Sequence, residues 1–208
     1  VRRHVQQYAT LDNLPQKAAI QLNDTHPAIA VAELMRLLID AHDYEFDHAW
    51  AITQATFGYT NHTLLPEALE SWPVAMLEQM LPRHMQLVFA INAKLLRWAR
   101  AEKGAKDESV RAISLIDEGG ERRVRMGNLA FVGAHSVNGV SALHTDLMRR
   151  TVFRDLHEAL PDRINNKTNG VTPRRWLMQC NPALFALAQS VAGDALSEDI
   201  ALLSRLDA

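Results

Sequence analysis

At 208 residues, with 48% apolar and 22% charged side chains, the chain is long enough for one large domain or two small ones and has the composition of an ordinary soluble globular protein. A formal net charge of −2 gives no electrostatic case for nucleic acid or an anionic membrane, and the sequence shows neither a signal peptide nor an apolar run of about 20 residues. The single cysteine, Cys180, cannot close an internal disulfide, which fits a reducing, cytoplasmic location.

Residues 1–11 read as the tail of a helix that starts without a methionine, and residues 200–208 stop within or just after another. The chain therefore reads as an internal piece of a longer protein. Residues 18–22 are a short, mainly apolar run ending in Asn23, Asp24, Thr25, His26 and Pro27. A helix is predicted over 27–42, where Ala28, Ile29, Val31, Leu34, Leu37 and Leu38 recur at helical spacing. A second is predicted over 45–54, with Phe46 and Trp50 four apart on one face.

The apolar and aromatic run 55–59 leads into Thr60, Asn61, His62 and Thr63. Pro66 and Glu67 then open an amphipathic helix predicted over 67–80. Proline's missing N–H is no loss in a first turn, and an acid there complements the helix dipole. Pro73 must kink or divide that helix. Residues 82–102 form the longest helical pattern, with Arg97, Arg100 and Lys103 near its carboxyl end and Gly104 at the stop. Met76, Met80 and Met85 are expected to fill core gaps.

Residues 112–116 and 122–126 flank Asp117, Glu118, Gly119, Gly120 and Glu121, a hairpin signal. His135 to Val140 alternates polar and apolar residues and reads as a strand with a tight Asn138-Gly139 turn. A helix is predicted over 145–160, ended by Pro161. Ile164, Asn165, Asn166, Lys167, Thr168 and Asn169 make a further strand and polar loop, which ends at Pro173. A helix follows over 173–191, interrupted by Pro182. In it Cys180 and Trp176 read as buried. Ser197, with Glu198 and Asp199, is expected to begin the last helix.

Strands alternating with helices argue for an α/β fold in which helix dominates. Three polar strand-to-helix loops carry Asp, His, Asn and Lys. Loops at the carboxyl ends of strands are where α/β sheets bind ligands, so these three are candidates to converge on one hydroxyl-rich or anionic ligand. The plainer alternative is that their Asn, Asp and Thr only cap helices. The nine histidines show no metal-ligand spacing. His4, His42, His48, His84 and His157 read as surface or structural residues, while His135 and His144 fall between these and the loop histidines.

Three segments are specific: residues 21–27 (QLNDTHP), 59–69 (YTNHTLLPEAL) and 166–177 (NKTNGVTPRRWL). They resemble the α-glucan phosphorylases, the glycogen, starch and maltodextrin enzymes. The joining segments, Leu81 to His84 and His135 to Val140 among them, match in order and length, so the likeness covers the whole chain. That family has a two-Rossmann-domain, B-type glycosyltransferase fold. The chain then corresponds to the later part of the amino-terminal domain (residues 1–169) and the start of the carboxyl-terminal one (170–208), a helix-rich partial Rossmann-like piece. The family cleaves the terminal α-1,4 bond of a glucan with inorganic phosphate and releases α-glucose 1-phosphate with retention. Pyridoxal phosphate is held by a lysine of the carboxyl-terminal domain. No Gly-rich cofactor segment or matching lysine is found here, so the cofactor is expected on a longer parent and not on this chain.

Carried over by position, His62 is similar to the residue whose side chain bonds the glucosyl 6-hydroxyl and whose carbonyl faces the charge developing at the reacting carbon. Asn169 is similar to the residue that shares that hydroxyl. Asp24 and His26 resemble the pair lining the neighbouring acceptor subsite, and Asn61, Glu67 and Ala68 fall in the same motifs as substrate-binding positions. Muscle-type members also hold glycogen remotely, near Asn92, Glu118 and Arg122. Ala93 stands where they carry glutamine, which puts that anchoring in doubt. The resemblance implies a glucan and phosphate as partners, a homodimeric parent and a phosphorolytic function. This piece alone is expected to be inactive and to self-associate through exposed sheet edges. The rival reading is a non-catalytic module that binds glucan or protein.

Overall fold

The computed structural model describes residues 1–65 and 69–207. The chain divides into two compact units, Val1–Thr168 and Asn169–Ala208.

The first unit opens with α1 (Arg2–Tyr8) and α2 (Leu14–Lys17), followed by β1 (Ile20–Asn23), α3 (Ala30–His42), α4 (Phe46–Thr56) and β2 (Phe57–Thr60). A long excursion then leaves the sheet through β3 (Ser71–Pro73), α5 (Val74–Met80), α6 (Pro82–Lys103), α7 (Asp107–Ile113), β4 (Ile116–Asp117), β5 (Arg123–Arg125) and α8 (Met126–Gly133). The chain returns as β6 (Ser136–Gly139), α9 (Ala142–Arg150), α10 (Arg154–Ala159) and β7 (Ile164–Asn166).

Strands β1, β2, β6 and β7 form a parallel sheet in that order. One register row is Leu22, Tyr59, Val137 and Ile164; all four are buried. The next row is Asn23, Thr60, Asn138 and Asn165. Side chains alternate across a strand, so the apolar row faces the core and the polar row the opposite side. Parallel sheets are usually covered by apolar residues on both faces. Here the second face is a hydrogen-bonded polar surface. Gln21 Nε2 donates to Thr60 Oγ1 (2.9 Å), Thr60 Oγ1 donates to Asn138 Oδ1 (2.8 Å), and Asn165 Nδ2 donates to Ser136 Oγ (2.7 Å).

Beneath the apolar row, Phe153 packs edge-on to Tyr59 (6.1 Å between centroids) and at 5.3 Å from Phe131. Such offset aromatic contacts add to the burial of each ring. The helix α3 lays Val31, Leu34, Met35 and Leu38 into this core, the i, i+3, i+4, i+7 stripe of an amphipathic helix. Gly139 lets α9 approach β6: a Cβ there would stand 2.4 Å from Thr145 Oγ1 and 2.9 Å from the Thr145 Cα. At the end of α6, Gly104 adopts φ 61°, the left-handed stop expected of glycine.

Several expectations from sequence are corrected. Asn138-Gly139 is not a turn but the end of β6, where the glycine serves close packing. The helix expected over 67–80 begins only at Val74, because Ser71–Pro73 forms β3, antiparallel to β5. Proline, with no N–H to donate, suits a strand end and the residue before a helix. The positions Pro66, Glu67 and Ala68 lie outside the described residues. The hairpin forms as β4 and β5, but Ala112 and Ile113 belong to α7. The helix expected over 145–160 is two, broken at residues 151–153, where Phe153 turns into the core. Met85 is buried as expected, whereas Met80 is 66% exposed.

The second unit holds α11 (Pro173–Cys180) and α12 (Pro182–Ala192), then 3-10 turns at Asp194–Ser197 and Ile200–Asp207. Ser197 thus closes a turn and does not open a helix. Asn181 Oδ1 caps α12 by accepting from Leu184 N–H (3.1 Å). Phe185, Ala188, Ala192 and Leu196 form its small core. Trp176 is 61% exposed and Cys180 is exposed, against the reading of both as buried: α11 buries none of its residues. Arg174 is held by its own unit, its Nε donating to Ser197 O (2.9 Å), and Arg175 is exposed.

Candidate functional site

All strands of the parallel sheet run the same way, so the segments after β1, β2 and β6 emerge at one edge. They are stitched together there by backbone bonds. Asp24 N–H donates to Thr60 O (2.9 Å), and Asn61 N–H donates to Asn138 O (3.0 Å). The structure therefore brings Asp24, His26 and His62 to one polar edge, with the side chain of Asn61 buried behind it.

Asp24 sits at φ 65°, in the left-handed region that aspartate tolerates better than most residues. Its Oδ1 accepts from Thr25 N–H (2.7 Å), so it fixes its own loop and does not cap α3, which has no side-chain cap. Thr25 is fully buried and donates its hydroxyl to Glu70 Oε2 (3.0 Å). His26 Nδ1 meets the other oxygen, Glu70 Oε1, at 2.9 Å. One carboxylate thus clamps two successive residues of the β1 loop. The bond to Glu70 raises the pKa of His26, with the Glu70 charge as the next cause.

Asn61 is fully buried. Its Nδ2 donates to Tyr59 OH (3.1 Å), and its Oδ1 has no partner among the described residues. Burial pushes the Tyr59 phenol well above its ordinary range. The neighbouring His62 is exposed, with its Nε2 2.6 Å from Asn23 Oδ1. A carbonyl oxygen only accepts, so Nε2 carries the proton and Nδ1 of the neutral ring is left as an acceptor.

At the end of β6, Val140 N–H donates to His144 Nδ1 (3.0 Å). Further along the edge, Asn166 Oδ1 accepts from Thr145 Oγ1 (3.0 Å), and Lys167 Nζ donates to Asn165 Oδ1. Asn169 is exposed and is the first residue of the second unit. Glu67 and Ala68 lie outside the described residues. Glu70 and Asn138 are the participants that sequence reasoning did not single out, while His144 stood between the structural and the loop histidines. Asn138 lay in the polar stretch His135 to Val140 already noted, but nothing local marks Glu70, whose partners are 44 and 45 positions away.

This arrangement offers amide, imidazole and hydroxyl groups on a rigid sheet edge, with one exposed carboxylate–imidazole pair. Directional neutral donors and acceptors of this kind suit a polyhydroxylated ligand. Among the described residues no cluster of His, Cys, Asp and Glu could hold a metal ion, and no helix is long and apolar enough to cross a membrane.

The chain belongs to the carbohydrate phosphorylase family, whose model matches residues 1–208. Among curated relatives it is similar to glycogen phosphorylase of Synechocystis sp., 49% identical over 207 residues, which is 100% of this chain and 24% of that protein. The liver form of glycogen phosphorylase from Ovis aries is 48% identical over 196 residues (94% of this chain, 23% of that protein). The Haemophilus influenzae glycogen phosphorylase is 46% identical over 206 residues (99% and 25%). The chain thus spans about a quarter of the length of these relatives.

Proposed function

We propose that this chain is the sugar-binding segment of a longer α-glucan phosphorylase, which uses inorganic phosphate to cleave a terminal α-1,4 bond and release α-glucose 1-phosphate with retention. The supporting observation is the shared edge of the parallel sheet, where Asp24, His26 and His62 lie together on backbone-bonded loops.

In this reading the free Nδ1 of His62 accepts from a glucosyl hydroxyl, and Asn169 shares that hydroxyl. The carbonyl of His62 faces the reacting carbon. A fixed carbonyl dipole beside a growing positive charge stabilises the transition state more than the ground state. Asp24 and His26 line the acceptor-sugar side, with Glu70 holding the His26 ring in place.

Pyridoxal phosphate, which supplies the phosphate that relays a proton in this family, belongs to the parent and not to this chain. Lys94 is paired with Asp47 (2.9 Å), and Lys167 Nζ donates to Asn165 Oδ1. The parent is a cytoplasmic homodimer in this reading.

The test is a phosphorolysis assay on the full-length parent with maltoheptaose and phosphate, with the anomer identified by NMR. Turnover is expected to fall further in His62→Ala and Asn169→Ala than in Asp24→Ala. Rates like those of the unsubstituted enzyme in all three remove the assignment. The 208-residue chain alone is expected to show no phosphorolysis and no aldimine absorbance band with pyridoxal phosphate.

A further inference from the structure

His144 stands in the first turn of α9, with its backbone N–H tied to Ser141 Oγ (3.1 Å). Its ring is fixed by a second bond, from Val140 N–H to Nδ1 at 3.0 Å. A ring nitrogen that accepts from a backbone N–H carries no proton. The neutral imidazole therefore holds its proton on Nε2. That Nε2 is buried and has no hydrogen-bond partner among the described residues. Buried donors in folded proteins are nearly always paired, because an orphaned one loses its water without compensation.

The ring is anchored where β6 ends. That strand's Asn138 carbonyl accepts from the N–H of Asn61, the residue before His62. Burial holds the imidazole toward its neutral form. An unpaired donor of fixed tautomer thus belongs to the same edge as the sugar-facing groups.

We propose that His144 Nε2–H is a second imidazole contact to the glucosyl unit, donating to one of its hydroxyl oxygens. This rests on the phosphorylase reading above. The two histidines share the Nε2–H tautomer but are tied down through different ring nitrogens. His62 donates its Nε2–H to Asn23 Oδ1 and keeps Nδ1 as an acceptor. His144 accepts the Val140 N–H at Nδ1 and keeps Nε2–H as a donor. A sugar carries hydroxyls that each donate once and also accept, so one acceptor ring and one donor ring are complementary to it without any net charge.

The test uses the full-length enzyme in the direction of chain synthesis, with glucose 1-phosphate and its singly deoxygenated analogues. His144→Asn keeps an acceptor for Val140 N–H and drops the far donor, whereas His144→Gln keeps a donor near the Nε2 position. In the unsubstituted enzyme the analogue lacking the contacted hydroxyl should lose roughly tenfold or more in kcat/KM. In His144→Asn the normal substrate should fall by a similar factor, and that analogue should show no further loss. His144→Gln should recover part of it. Losses that simply multiply for every analogue in His144→Asn, or unchanged kinetics in that variant, would overturn the proposal. A readout that needs no variant is the 15N shift of the ring. It should report the Nε2–H tautomer and move when glucose 1-phosphate is added; a ring that does not respond also overturns it. An unsubstituted enzyme without phosphorolysis would remove the parent reading itself and this proposal with it, so the two failures are told apart.

Discussion

The amide of Asn61 donates to the hydroxyl of Tyr59 across 3.1 Å, and neither side chain reaches solvent. The bond links consecutive parts of one strand-to-loop transition. It turns Tyr59 from a purely apolar element of the core into a support for the loop that presents His62. Tyr59→Phe keeps the ring and leaves the buried Nδ2 of Asn61 without an acceptor. The expected cost is about 1–3 kcal/mol of stability, read by urea unfolding. A double-mutant cycle with Asn61→Ala should show coupling between the two positions. Additive losses would mean that the bond contributes nothing of its own.

Gly139 should not tolerate alanine. The added methyl would meet the backbone of Thr145 at 2.9 Å as well as its hydroxyl, so no rotamer change relieves the contact. Pushing α9 away from β6 is expected to destabilise by about 1–3 kcal/mol, as overpacked sites do. It would also displace the His144 ring. Thermal unfolding of Gly139→Ala measures the first effect, and the 15N shifts of His144 the second.

The His26–Glu70 pair predicts a pH dependence of definite sign. The folded-state pKa of His26 lies above the ordinary 6.5. Its contribution to stability is therefore fully present below about pH 6.5 and is lost as pH rises through the raised value. The ring is exposed, so the effect on global stability is small. The titration itself is the sensitive measurement. Proton NMR should give a His26 midpoint that drops toward the unperturbed value in Glu70→Gln, and an unchanged midpoint would remove Glu70 as the cause.

The remote glycogen site can be separated from the catalytic reading. A cavity of about 610 Å³ is lined by residues that include Asn92, Arg111, Ser114, Asp117 and Glu118. Asn92 is committed to the fold there: its Oδ1 accepts from Leu115 N–H at 2.9 Å and its Nδ2 donates to Ser114 Oγ at 3.2 Å. With alanine at 93, maltoheptaose titrated into this chain is expected to leave the amides of Glu118 and Arg122 unmoved. Saturable shifts confined to that cavity would favour a glucan-binding module over a catalytic segment.

Much of the fold could be read locally. The stripe of α3, the glycine stop of α6, the prolines that open α6, α11 and α12, and the hairpin turn at Gly119-Gly120 are all set by neighbours within a few positions. The errors came where a distant partner overrode a local pattern. Ser71 to Pro73 looked helical until β5 supplied a strand to pair with. Asn138-Gly139 looked like a turn because the helix that needs the missing Cβ packs on it only in the folded chain. Trp176 and Cys180 followed an apolar period, but α11 buries none of its residues.

The sequence by itself determined the alternation of strands and helices, the polar loops and, through three motifs, membership of the carbohydrate phosphorylase family. These rest on residue type and spacing, which need no neighbour in space. Packing in three dimensions decided that Glu70 clamps Thr25 and His26, that Asn61 is buried against Tyr59, and that His62 and His144, both in the Nε2–H tautomer, are tied down through different ring nitrogens. Each of those depends on a hydrogen bond to a group fixed by the packing of a strand edge or a helix turn, and which donor finds which acceptor is settled by the packed geometry, not by residue type alone.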